Sequence, residues 1–143
     1  MAGFDLDLIR PAIGANLAAL VAAQELQWTP YMLAEPTPPT VQVLGAGEII
    51  YDVAMQRGGD QNEVLVQAFV ALVSDIAGQM KLDQLLKSSG PTSMKEAIQS
   101  SPNLGGIIDD LRVTRCSGHQ VFRRLDNAQV IGATWYVQVE TTE

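Results

Sequence analysis

Fifteen residues, "GGIIDDLRVTRCSGH" at 105–119, hold the groups in this chain that could do chemistry: adjacent carboxylates at Asp109 and Asp110, the only cysteine, Cys116, and the only histidine, His119. Two carboxyl groups converging on one substrate can share acid and base work, and a thiol hydrogen-bonded to an imidazole can act as a nucleophile. The spacing argues against both. If 107–116 is a strand, alternation puts Asp109 on a face with Ile107, Leu111 and Val113, and Asp110 on the other with Arg112, Thr114 and Cys116. The carboxylates then point apart. Cys116 and His119 flank a Ser-Gly turn that could bring them close, but no helix begins at the cysteine to lower its pKa, and no Asn or Asp is placed to orient the imidazole. The expectation is a polar strand with its two aspartates at the strand start or a subunit contact, a half-buried thiol and a turn histidine. One Cys and one His build neither an internal disulfide nor a Cys/His metal framework.

The glycine motifs are equally plain. "GAG" at 45–47 lacks the third glycine and following helix of a dinucleotide loop, and "QRGGDQN" lacks the Lys-Ser/Thr of a phosphate loop. They read as a turn and a hairpin tip, and no cofactor or metal is expected. Trp28, Tyr31, Trp135 and Tyr136 read as core or edge aromatics; Trp135 and Tyr136 fall on opposite faces of one strand, so one of them lies near solvent or a partner.

Nine Lys and Arg against sixteen Asp and Glu give a net charge of -7, and the cations are scattered apart from Arg123 and Arg124. That excludes a protein whose affinity comes from neutralising nucleic-acid phosphates. A chain of 143 residues, 47% hydrophobic, suits a single domain over 1–143 with one core. Asp5 and Asp7 stand where a signal peptide carries positive charge, and no run reads as long enough to span a bilayer, so synthesis in the cytoplasm without a membrane is expected.

The elements that must position these residues follow from periodicity. Leu6, Ile9, Ile13, Leu17 and Leu20 predict an amphipathic helix over 5–24, capped by Asp5 or Asp7, with Pro11 awkward unless it lies in the first turn. "LQWTPYMLA" predicts a short extended piece, and "AEPTPPT" a stiff connection inside the domain. Strands are predicted at 41–44 and 48–53, separated by the Gly-Ala-Gly bend, and "AMQRGGDQNE" is a polar hairpin loop. "NEVLVQAFVALV" is apolar on both faces and reads as a central strand covered on both sides. After Ser74 and Asp75 a helix carries Ile76, Met80, Leu82, Leu85 and Leu86, and Gly90-Pro91 stops it. Ser93 and Glu96 form a capping box opening a second short helix, which turns Ala97 and Ile98 inward. Strands at 107–116 and 129–140 complete the chain, the last with Ile131, Ala133, Trp135, Val137 and Val139 on one face. This order predicts an α+β fold, a mostly antiparallel sheet flanked by an N-terminal helix and two middle helices.

One set of features is more specific: Tyr51-Asp52 before a hairpin loop, a long hydrophobic strand ending in Val73-Ser74-Asp75, a helix closing at Ser88-Ser89-Gly90, the run Leu104-Gly105-Gly106-Ile107-Ile108-Asp109-Asp110-Leu111-Arg112-Val113, and a final Gly132-Ala133-x-Trp135-x-Val137. In these the chain resembles, over most of its length, the tail terminator proteins of long-tailed phages, especially those infecting actinobacteria. The resemblance implies an α+β subunit that is not an enzyme. It implies a homo-oligomeric ring, expected to be hexameric, that caps the head-proximal end of the virion's tail tube. Such a ring stops tube polymerisation, joins the tail to the head connector and lets DNA pass through its hole; an acidic subunit suits a lumen along which DNA slides. Two sets of contacts are expected, the hairpin loop with Met55, Arg57 and Asp60, and the charges Asp109, Asp110, Arg112 and Arg115. The alternatives are another head-tail connector or neck protein, a tube protein, which should be nearly all-β, and a small Cys116-dependent enzyme.

Overall fold

The computed structural model describes residues 6–31, 39–50, 59–72, 76–123 and 129–142, with the backbone alone at 48–50, 59–61, 71–72, 119 and 142. Helix α1 (Leu6–Ala23) forms where the apolar spacing predicts it and buries Ile9, Ile13, Leu17 and Leu20. Each such side chain contributes about 2 kcal/mol relative to an exposed one. Pro11 lies inside this helix, in the second turn and not the first, so it cannot donate the helical bond back toward residue 7. By length and composition α1 also meets the requirement for crossing a membrane, contrary to the expectation that no run would. Its buried stripe packs into the protein core.

Five described strands follow, β1 (Gln27–Thr29), β2 (Thr40–Ile50), β3 (Gly59–Leu72), β4 (Asp110–Arg123) and β5 (Gln129–Thr142), with α2 (Ile76–Leu85) and α3 (Met94–Ile98) between β3 and β4. They make one sheet in the order β1-β2-β3-β5-β4, antiparallel except for the parallel pair β1 and β2. The α+β architecture with a mostly antiparallel sheet is therefore the observed one. After β3 the chain crosses through the two helices to the edge, lays down β4, and returns to insert β5 beside β3.

All three helices contribute to one core on one face of the sheet. Val41 and Val43 of β2, Val64, Val66 and Ala68 of β3, Ala133, Trp135, Val137 and Val139 of β5, and Leu111 and Val113 of β4 meet α1, Leu82 and Leu85 of α2, and Met94 and Ile98 of α3. Polar clasps fix the helices. Arg10 donates to the Pro30 carbonyl at 2.6 Å and the Val43 carbonyl at 2.8 Å, and Asn16 donates to the Ile98 carbonyl at 2.8 Å. The predicted capping box of α3 is half made: the Glu96 amide donates to Ser93 Oγ at 3.2 Å, but the Glu96 carboxylate accepts from the Gly90 amide at 2.9 Å and not from Ser93.

Several local expectations are overturned. The Gly-Ala-Gly segment is not a turn: β2 runs through it, with register shifts at Val43/Gly45 and Ala46/Ile49 and Gly45 at φ 138°. A positive φ next to an extra residue is a bulge that bends one strand, so two short strands become one. The polar loop is shorter than expected, because Gly59 and the four residues after it already belong to β3. Ile76 and Met80 do not face the core; they are 73% and 63% exposed, and α2 buries Gly78, Leu82 and Leu85 instead.

The face of β3 away from the helices is covered by no described helix, so the expected cover on both sides is not seen there; Gln67 and Phe69 are nevertheless buried, while Glu63 and Leu65 are partly exposed. Gln42 donates to Gln67 at 3.2 Å, Gln67 to Thr134 at 3.2 Å, and Thr134 to Gln120 at 3.0 Å, a hydrogen-bonded chain across four strands. Gln42, Gln67 and Thr134 are all buried. Beside it Phe69 and Phe122 pack edge to face with centroids 5.0 Å apart.

Two substitutions test this account by thermal unfolding. A Cβ at Gly132 would collide with the Ala68 carbonyl across β3 and β5, so Gly132→Ala is expected to destabilise by about 1–3 kcal/mol. Asn62 is buried with neither side-chain polar atom bonded, so Asn62→Leu is expected to be neutral or to stabilise by about 1 kcal/mol. A loss of stability in the leucine variant would show that the amide is used.

Candidate functional site

The motif that precedes β4 has a backbone reason. Leu104, Gly105 and Gly106 take φ of 50°, 71° and 99°, a left-handed run that glycine adopts without a Cβ penalty. Asn103 steadies it, its side-chain oxygen accepting the Gly105 amide at 3.1 Å. This turn buries Leu104 and Ile108 and delivers the two aspartates to the free edge of the sheet.

Asp109 is not in the strand, although its amide donates to the Glu140 carbonyl at 2.9 Å; Asp110 is the first strand residue, and both are exposed. Asp110 stands directly opposite Glu140, and Arg112 opposite Gln138. Like charges facing each other across a strand pair repel, so the edge carries a small electrostatic cost. These residues, with Leu111 and Thr114, line an open depression of about 340 Å3. No described group of three or more His, Cys, Asp and Glu is arranged to hold a metal.

Arg115 does not join that depression. A register shift between Val113 and Arg115 inserts one residue, and Arg115 pairs with Tyr136. Its guanidinium lies 3.9 Å from the Tyr136 ring centroid and 3.7 Å from Glu63. Because Arg115 is 64% exposed, the ion pair contributes at most about 1 kcal/mol. Tyr136 is fixed in turn by Ser117, 3.2 Å from its hydroxyl.

The same shift moves Cys116. Alternation alone put it with Asp110 and Arg112, but it pairs with Trp135, whose side chain belongs to the core face. Nor is there a Ser-Gly turn after it; β4 continues through 117–119 with a second register shift. The pairing of thiol and imidazole therefore has no turn to create it. His119 is a strand residue whose side chain lies outside the described residues. The cysteine as a whole is exposed, but its thiol sits half-buried in a notch beside Trp135, and that desolvation pushes its pKa up from 9.0 to about 11. A catalytic thiol needs the opposite shift.

Of the expected contact residues, the structure brings Asp109, Asp110, Arg112 and Arg115 to one edge and splits them between two neighbourhoods. Met55 and Arg57 lie outside the described residues, and Asp60 is described only as a β3 backbone position paired with Thr141. Sequence reading missed Glu63 and Tyr136 as partners of Arg115. It also missed Gln99, whose side chain accepts the Val113 amide at 2.8 Å and blunts the edge. The first two depend on strand register, and the third on how the end of α3 docks against β4.

No protein-family model matches the chain, and no curated protein matches it.

The thiol gives a direct check. At pH 8 the thiolate fraction of the folded protein should be about a hundredfold below that of the unfolded chain, so alkylation should be slower by about that factor and should accelerate through pH 11. Because the folded pKa is raised, the linked stability is present below pH 9 and is lost as pH rises from 9 toward 11. Fast stoichiometric labelling at neutral pH would restore the enzyme reading.

Proposed function

We infer that this protein is a tail terminator of a long-tailed phage, a subunit of a ring, expected to be hexameric, at the head-proximal end of the tail tube. The observation that carries this reading is the run from Leu104 to Val113, which resembles that of tail terminators and here forms the left-handed turn into an exposed edge strand. A surface of that kind suits contact with another subunit. The two helices between β3 and β4 favour a terminator over a nearly all-β tube protein. Against the Cys116-dependent enzyme stands a thiol that desolvation pushes up to about 11, the opposite of what a nucleophile needs.

In this role the ring halts addition of tube subunits, presents its other side to the head connector, and lets DNA through. The charge of -7 per subunit helps passage, since carboxylates facing a lumen repel phosphates instead of binding them. No resident cofactor is part of the reading.

The test is the native mass of the protein alone and after mixing with a tail tube protein of the same phage, with the products imaged by negative-stain microscopy. Six-subunit rings, free or seated at tube ends whose growth has stopped, are the expected result. A monomer that leaves tube growth unchanged would overturn the reading.

A further inference from the structure

We propose that the two ends of the sheet are complementary and that adjacent copies of this chain join there head to tail, the Lys87 and Lys95 end of one copy against the Glu25 end of the next. The proposal rests on the ring reading above and names the joint that would build it.

On the helix side of β4 lies a notch of about 170 Å3 whose floor includes Leu86, Val113 and Trp135, with Lys87 and Lys95 also lining it. Neither ammonium has an ion pair among the described residues, while nearby Arg115 is committed to Glu63 and Tyr136. At the opposite end of the sheet, four strand spacings or about 19 Å away, a groove of about 340 Å3 runs between α1 and β1, with Ala18, Val21, Leu26 and Trp28 in its wall. A Cβ at Gly14 would come within 2.6 Å of the Trp28 indole, so glycine is what lets the ring lie against the helix.

Glu25 lines this groove from an unusual backbone position. It follows the end of α1 with φ 55°, where the Leu26 amide closes the helix onto the Val21 carbonyl at 2.9 Å. Glycine is the ordinary residue at such a helix end, and a glutamate held there in the left-handed region points to a use for its carboxylate. Lys81 donates to the adjacent Gln24 carbonyl at 2.9 Å, so its ammonium also lies at this end.

Two apolar hollows thus carry opposite charge at opposite ends of one sheet. A two-fold contact at either end would set like charges together, lysines on lysines or glutamate on glutamate, which disfavours it. Joining unlike ends removes that repulsion, and such heterologous contacts close into a ring when the rotation permits. In a chain of net charge -7, most surfaces repel their copies, so a contact that spends the lysines on a neighbour's carboxylate is favoured.

The experiment is zero-length carbodiimide cross-linking of an equal mixture of 14N and 15N protein, alone and on tail tubes, with native mass read in parallel. The expected result is mixed-isotope peptides joining Lys87 or Lys95 to Glu25. The double variant K87E/K95E should weaken assembly by about tenfold or more, and adding E25K should restore it. Both lysines and Glu25 lie at the surface, and a thermal melt checks that each variant folds. A ring whose interchain links avoid these residues, or one that K87E/K95E leaves intact, overturns the joint and leaves the terminator reading standing. An open chain or dimer joined through these residues supports the joint and overturns the ring. A protein that stays monomeric with tubes present overturns both.

Discussion

Between Gly59 and Phe69, β3 holds β5 in an unbroken antiparallel register, from Gly59 opposite Thr142 to Phe69 opposite Gly132. Everything else hangs from that pair. It aligns Val64, Val66 and Ala68 with Val137, Trp135 and Ala133, which together make the floor of the core, and a slip of one residue would turn every one of them to the other face. The register ends where Gly132 passes so close to the Ala68 carbonyl that no side chain fits. On the far face the chain of Gln42, Gln67, Thr134 and Gln120 is satisfied only in this register, so the polar side punishes a slip as the apolar side does.

Because β5 occupies the place beside β3, β4 is left at the edge, and the edge is managed. Two register shifts interrupt it, Gln99 takes the Val113 amide, and charged side chains stand along it. Such devices discourage another strand from pairing there. A neighbour would meet this end of the molecule through side chains and the notch beneath them and not by strand pairing.

The helices act mainly through this arrangement. Asn16 binds the Ile98 and Ser101 carbonyls, Lys81 binds the end of α1, and Arg10 ties α1 to β2 and to the segment after β1. Those clasps hold the α1 end and the α2–α3 end as fixed parts of one scaffold. A rigid spacing between two unlike surfaces is what sets the angle of a repeating contact, and hence whether it closes.

Where patterns are local, they were legible from the sequence. The three- and four-residue spacing from Leu6 to Leu20, the Ser93 cap, the alternation from Ile131 to Val139 and the doubly apolar run of β3 each express a backbone period that one segment carries by itself, and α+β follows from their order. The alternation expected to part the two carboxylates does not reach Asp109, because the strand begins only at Asp110. What only the tertiary structure decided are the exceptions to those periods. Whether Gly45 makes a turn or a bulge depends on the strand beside it; so does the face on which Cys116 emerges, since one extra residue after Val113 reverses the faces as far as the second register shift at Ser117/Gln120. Ile76 and Met80 look like core and are not, because the sheet meets the other side of α2. Lys87, Lys95 and Glu25 carry no periodic signal at all; the insertion of β5 between β3 and β4 leaves β4, with the notch that Lys87 and Lys95 line, at the end of the sheet away from β1.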